Sequence, residues 1–170
     1  MNKKVLFICQ AAIIAALYVV FGFVSGALGL SSGAIQVRIS DALCVLVAFT
    51  PAAIPGVTLG CLLYNFLSGC ILIDVCLGTL ATLIGCLLGW VIVKALKEKI
   101  KVLAVAVPIP YVLANALIVP YVLTFYGVDS AYWINFLTVG LGEVIACVVL
   151  GLALFYAVYP VRHRIFGTEK

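Results

Sequence analysis

Apolar residues in this chain neither alternate nor recur on one helical face; they fill six long stretches separated by short polar or Gly/Pro-rich joints. The stretches cover residues 5–27, 37–50, 54–69, 73–96, 103–126 and 133–158, and each is predicted to be a membrane span. A helix that crosses a hydrocarbon core of about 30 Å takes roughly 20 apolar residues, so the second and third are short for the task. Thr50-Pro51 and Ile54-Pro55-Gly56 separate these two, because proline removes a backbone donor and Pro-Gly favours a turn. Glycine and serine between Ser25 and Gly33 predict an uncharged loop, and Lys94, Lys97, Lys99 and Lys101 mark the one strongly hydrophilic connection. The pattern predicts an all-α integral membrane protein of about six transmembrane helices, a single domain over residues 1–170.

Composition excludes the soluble alternative. With 66% hydrophobic and 9% charged residues among 170, the chain cannot build a polar shell, so most of its surface must face lipid. The first stretch is too long for the apolar core of a cleavable signal and is expected to stay as a helix of a multi-pass protein of the cell membrane. Of the ten basic residues, Lys3, Lys4, Lys94, Lys97, Lys99, Lys101, Arg162, Arg164 and Lys170 fall on one side of a six-span arrangement, and only Arg38 falls on the other. The positive-inside rule makes the first side cytoplasmic and places both termini there. This topogenic role accounts for the lysine run, and no nucleic-acid partner is expected.

Depth then sorts the polar residues. Arg38 and Asp41 open the second span, Asn65 lies near the outer end of the third, Asp74 at the outer start of the fourth and Asn135 near the outer start of the sixth. At 1.5 Å per residue, Asn115 stands about 18 Å from the inner face and Glu143 about 15 Å from the outer face, both near the midplane. Every ionisable or amide side chain in the spans is thereby expected in the outer half or at the centre, which suggests a pocket open to the outside. Glu143 is the sharpest of them, since a mid-bilayer carboxylate costs about 2.5–3.5 kcal/mol on insertion scales and needs a partner, either a ligand or Asn115 or a hydroxyl. Phe136, Gly140 and Cys147 share its helical face. Arg38 and Asp41, three apart, either pair with each other or bind. Asp74 either caps its helix or binds a cation. Trp133, with Tyr121, Tyr126 and Tyr132, forms either an interfacial belt or a stacking lid.

Small residues make a second pattern. Ala11 and Ala15, and Ala12 and Ala16, are pairs four apart on the first helix, and Gly78, Thr82, Gly85 and Gly89 form a stripe on the fourth. Packing explains the stripe, while the alanines offer a face for another membrane subunit. The chain has no P-loop, HExxH or GxSxG signature, so an enzyme or a self-contained ATPase is not expected. Its seven cysteines form no CxxC pair, and the lone histidine, His163, lies in a basic tail, so neither metal nor cofactor is implied.

Residues 36–43 (QVRISDAL), Pro51 and Pro55-Gly56, residues 63–69 with Asn65, and residues 73–82 (IDVCLGTLAT) resemble the QueT family over nearly the whole chain. The resemblance implies a substrate-binding S component of an energy-coupling factor (ECF) transporter. Such a protein captures a queuosine precursor, 7-aminomethyl-7-deazaguanine or queuine, for ATP-driven import by a transmembrane T component and two ATPases. Ala11, Ala12, Ala15 and Ala16 then resemble the motif that docks on the coupling subunit. The implied substrate-binding set is Glu143, Asp74, Asn115, Asn65, Arg38, Asp41, Asn135, Phe136 and Trp133, with Glu143 on the guanine edge and Asp74 on the amine. An S component for another vitamin and a self-sufficient proton-coupled carrier are the alternatives.

Overall fold

The computed structural model describes residues 2–30, 35–96, 99–127 and 131–167. Lys97, Lys170 and residues 31–33 of the expected glycine-serine loop lie outside the described residues. Helix α1 spans Lys3–Ala27, and a 3₁₀ helix Ile39–Ala48 follows; α2 is Ala53–Leu67, α3 is Leu72–Leu96, α4 is Ile100–Ala106 and α5 is Pro108–Phe125. Next come α6 (Tyr132–Glu143), a π-helical segment (Val144–Leu150), α7 (Gly151–Val158), a short 3₁₀ turn (Tyr159–Val161) and α8 (Arg162–Phe166). Among the described residues there is no strand. Helices Lys3–Ala27, Leu72–Leu96, Val102–Leu123 and Tyr132–Phe166 are long and apolar enough to cross a membrane, and two shorter apolar helices, Ile39–Ala48 and Ala53–Leu67, lie between the first two.

Local chemistry sets the boundaries. The Asn2 side chain accepts from the Lys4 N–H at 3.1 Å and starts α1. Gly29 and Gly69, at φ 70° and 77°, turn the chain after α1 and α2 in a conformation that costs other residues energy. Pro108 has no N–H to give the preceding turn, so the expected fifth span is split into α4 and α5.

The expected second α-helix is instead the 3₁₀ helix, which rises about 2.0 Å per residue and so covers about 20 Å with ten residues. It is buried from Ser40 to Val47 and touches α1, α2, α3, α5 and α7, standing as the post around which the bundle is built. Around it α1 packs on α2, α2 on α3, α3 on α5 and α5 on α6.

Small residues make these contacts close. A Cβ on Gly56 would stand 2.9 Å from the Ala11 carbonyl oxygen, and one on Gly60 would stand 3.0 Å from that of Ala15. Gly85 meets the backbone of Tyr111 in the same way, at 2.6 Å from its Cα, so α3 closes on α5 at this glycine of the stripe. Ala11 and Ala15 are buried by this α1–α2 contact, while Ala12 and Ala16 remain exposed.

The chain ends meet at one end of the bundle, where the Gln10 amide donates to the Ile165 carbonyl at 3.4 Å and accepts from the Thr50 hydroxyl at 3.0 Å. Gln10 is a buried amide in the first span at the end opposite Arg38, so the expectation that polar span residues occupy only the outer half and centre is corrected. Its amide is tolerated there because both of its polar atoms find partners.

Candidate functional site

At the opposite end the described residues Gln36, Arg38, Tyr64, Asn65, Ser68, Cys70, Asp74, Leu123 and Tyr126 line a cavity of about 390 Å³. Its walls are the segment before the 3₁₀ helix, the last turns of α2, the start of α3 and the end of α5. Arg38 and Asp74 bring its charge, and Gln36 and Asn65 its amides.

Arg38 Nη2 donates to Asn65 Oδ1 at 2.9 Å, its Nε lies 3.8 Å from Asp41 Oδ2, and its guanidinium carbon sits 5.2 Å from the centre of the Tyr64 ring. A guanidinium offers five N–H donors in a rigid fork, and Arg38 Nε is buried without a hydrogen-bond partner. Asn65 is almost wholly buried, and its Nδ2 donates to Cys61 Sγ at 3.6 Å. Its Nδ2 and Asp74 Oδ1 lie 3.1 and 3.2 Å from the place where a Cβ on Gly78 would stand. The absence of that one carbon lets the amide and the carboxylate share a wall. Asp74 Oδ2 accepts from the Tyr126 hydroxyl at 3.0 Å, and that hydroxyl accepts from the Ile71 N–H at 3.1 Å. Tyr126 thereby ties the end of α5 to the start of α3, and burial together with the neighbouring Asp74 carboxylate raises its phenol to about 12.

Beneath Arg38 lies a sealed polar cluster. Asp41 is 2% exposed, and its Oδ1 accepts from the Tyr18 and Tyr111 hydroxyls, the latter at 2.8 Å. The Tyr111 hydroxyl lies 3.3 Å from Thr82 Oγ1, which donates to Cys61 Sγ at 3.4 Å. Cys147 donates to Glu143 Oε2 at 3.3 Å and approaches the Asp41 carbonyl at 3.5 Å. Glu143 is 6% exposed and ends α6 where the π-helical segment begins. Gly142 beside it is pressed against the Gln36 backbone, closing this helix against the segment that leads to Arg38.

Of the residues singled out in the sequence, the cavity therefore unites Arg38, Asn65, Asp74 and Tyr126. Asp41 and Glu143 belong to the cluster below, outside the cavity lining. Asn115 is buried and donates to the Tyr111 carbonyl at 3.0 Å on its own helix. Asn135 is buried with Nδ2 unpartnered. Phe136 packs edge-on against Trp133, which is 69% exposed. The residues that sequence reasoning passed over are Tyr18, Tyr64 and Tyr111, whose rings read as ordinary apolar content. Tyrosines inside long apolar spans carry hydroxyls that need partners when buried, and this was the available signal.

A multi-pass helical bundle with a small polar cavity at one end is an architecture suited to a membrane protein that handles a solute. The chain belongs to the QueT transporter family, whose model matches residues 8–160. It is 39% identical over 97 residues to a protein of Lactococcus lactis subsp. cremoris (strain MG1363) named queuosine precursor transporter QueT. That match covers 57% of this chain and 57% of the relative, so it spans little more than half the length of either. No solved structure matches the chain.

Proposed function

We propose that the protein binds a queuosine precursor of the 7-deazaguanine type in the Arg38–Asn65–Asp74 cavity and passes it inward as the S component of an ECF transporter. The observation that carries this reading is the cavity: about 390 Å³, within the roughly 300–1,000 Å³ usual for small-molecule sites, with a guanidinium, an amide and a carboxylate in its walls. The Asp74 carboxylate suits the ammonium group that both 7-aminomethyl-7-deazaguanine and queuine carry near the base. Membership of the QueT family and the printed name of the Lactococcus relative support the substrate class. In this reading the whole chain is one six-span binding domain. The end carrying both chain termini, with Lys3, Lys4, Lys94, Arg162 and Arg164, faces the cytoplasm, and the cavity faces outside. The exposed Ala12 and Ala16 give the coupling subunit a smooth helix face on which to dock.

Calorimetric titration of the purified protein with 7-aminomethyl-7-deazaguanine tests the substrate. Saturable binding that is lost on competition with queuine supports the reading, and absence of binding to both refutes it. Uptake by vesicles tests the coupling: import only when the ATPases and T component are co-reconstituted supports an S component, and import by the chain alone refutes it.

A further inference from the structure

Arg38 is held in place partly by groups that lie outside the cavity lining. The Tyr18 and Tyr111 hydroxyls, from α1 and α5, converge on one oxygen of Asp41, which leaves the other oxygen toward Arg38 Nε at 3.8 Å. On its far side Arg38 Nη2 is fixed by Asn65 Oδ1 at 2.9 Å. The guanidinium is thus ion-paired at one end and hydrogen-bonded at the other while its side chain, 20% exposed, lines the cavity. An arginine placed this way offers donors and no acceptor.

The chemistry of the ligand edge completes the argument. In guanine the edge carrying the five-membered ring offers the acceptors N7 and O6. In a 7-deaza base the first of these is a carbon, so O6 is the one acceptor left on that edge, and the 7-substituent projects beside it. The cavity has a matching order: Arg38, then Asn65, then Asp74, with Asn65 bonded to Arg38 and set beside Asp74 at Gly78. A base whose cationic 7-substituent meets Asp74 would turn its carbonyl toward the Arg38 side of the cavity.

We infer that Arg38 is a specificity-determining residue that selects ligands with a 6-carbonyl, and that Asp41, Tyr18 and Tyr111 are its positioning residues. This inference rests on the proposed 7-deazaguanine reading. A ligand with a 6-amino group would set donor against donor, and one with hydrogen at that carbon would leave the Arg38 donor unmatched.

The experiment measures the affinities of 7-deazaguanine and of 2-amino-7-deazapurine, which lacks the oxygen, for the wild-type chain and its variants in detergent. Removing the carbonyl also removes the N1–H, so the informative quantity is how far the affinity ratio changes between proteins. The wild type is expected to prefer 7-deazaguanine by about thirtyfold or more, and Arg38→Gln to lower that preference at least about tenfold, in line with a hydrogen bond to a charged group. Tyr18→Phe combined with Tyr111→Phe should lower the preference by about three- to tenfold although neither hydroxyl touches the ligand. Arg38→Lys, which keeps the charge but loses the fork, serves as the second variant should Arg38→Gln fail to fold, with the same direction expected. A preference unchanged in a folded Arg38 variant overturns the inference while leaving the substrate class standing. Failure of the wild type to bind 7-deazaguanine and 7-aminomethyl-7-deazaguanine alike overturns both.

Discussion

Two polar regions stand within a few side chains of each other and differ in how their groups are used. In the cluster around Asp41 the acceptors are taken up inside the chain: Tyr18 and Tyr111 on one Asp41 oxygen, and Cys147 on Glu143. Along the cavity wall, Arg38 and Asp74 have partners on one side and open space on the other, and the buried Asn65 braces Arg38 from behind. A buried polar group with its partners in place holds structure, and one with donors or acceptors turned to a cavity is available to a ligand. On the proposed reading the first region holds structure and positions Arg38, and the second meets the ligand.

The most severe test of that division is to break the cluster. Asp41→Ala leaves two tyrosine hydroxyls and the Arg38 charge without their common partner in the interior, a loss of about 3–5 kcal/mol. Thermal unfolding in detergent should show Asp41→Ala far below wild type or fail to yield folded protein. A fully stable Asp41→Ala would mean the cluster holds nothing together.

Two glycines on one helix sharpen the comparison further. Gly85→Ala drives a methyl to 2.6 Å from the Tyr111 Cα, where backbone cannot yield cheaply, and should cost about 1–3 kcal/mol of stability. Gly78→Ala meets only side-chain atoms, the Asn65 amide and the Asp74 carboxylate. It should leave the melting temperature nearly unchanged and weaken the precursor by about tenfold, as expected when a binding group shifts by a fraction of an ångström. The reverse ranking, with affinity lost at Gly85 and stability at Gly78, would dissolve the distinction.

Asp74→Asn separates charge from shape within the wall. The amide keeps the bond to Tyr126 but cannot neutralise an ammonium group, so 7-aminomethyl-7-deazaguanine should lose about 1.5–3 kcal/mol of binding while 7-deazaguanine loses little. Equal losses for the two ligands would remove Asp74 from the amine site. The smallest effect is expected at Trp133, which is 69% exposed and packs its ring edge-on against Tyr132 and Phe136. Trp133→Ala should change affinity by less than about threefold, the scale of a surface change of about half a kcal/mol. A larger drop would restore the stacking lid.

The four long apolar helices were legible in the sequence because the bilayer demands long apolar runs whatever the packing partners are. The second apolar stretch was legible as an element and hidden as a 3₁₀ helix: residues 39–48 are apolar almost all round, so no periodicity separates three residues per turn from 3.6. The π-helical segment after Glu143 was hidden for the same reason. Arg38, Asn65 and Asp74 were legible as site candidates since charges and amides in a membrane segment need a reason. Their grouping, and the separation of Glu143 from them, depends on which helix faces oppose each other, and one sequence does not encode that directly. Tyr18 and Tyr111 escaped because their rings satisfied the apolar pattern while their hydroxyls did the anchoring.

An experimental structure with 7-aminomethyl-7-deazaguanine bound tests the central claim most directly. The account predicts the amine nitrogen about 2.7–3.0 Å from an Asp74 carboxylate oxygen and the base carbonyl at hydrogen-bonding distance from Arg38, with the Asp41 cluster intact beneath. A ligand found against Glu143, Asn115 or Asn135, with Asp74 still bonded only to Tyr126, would contradict it.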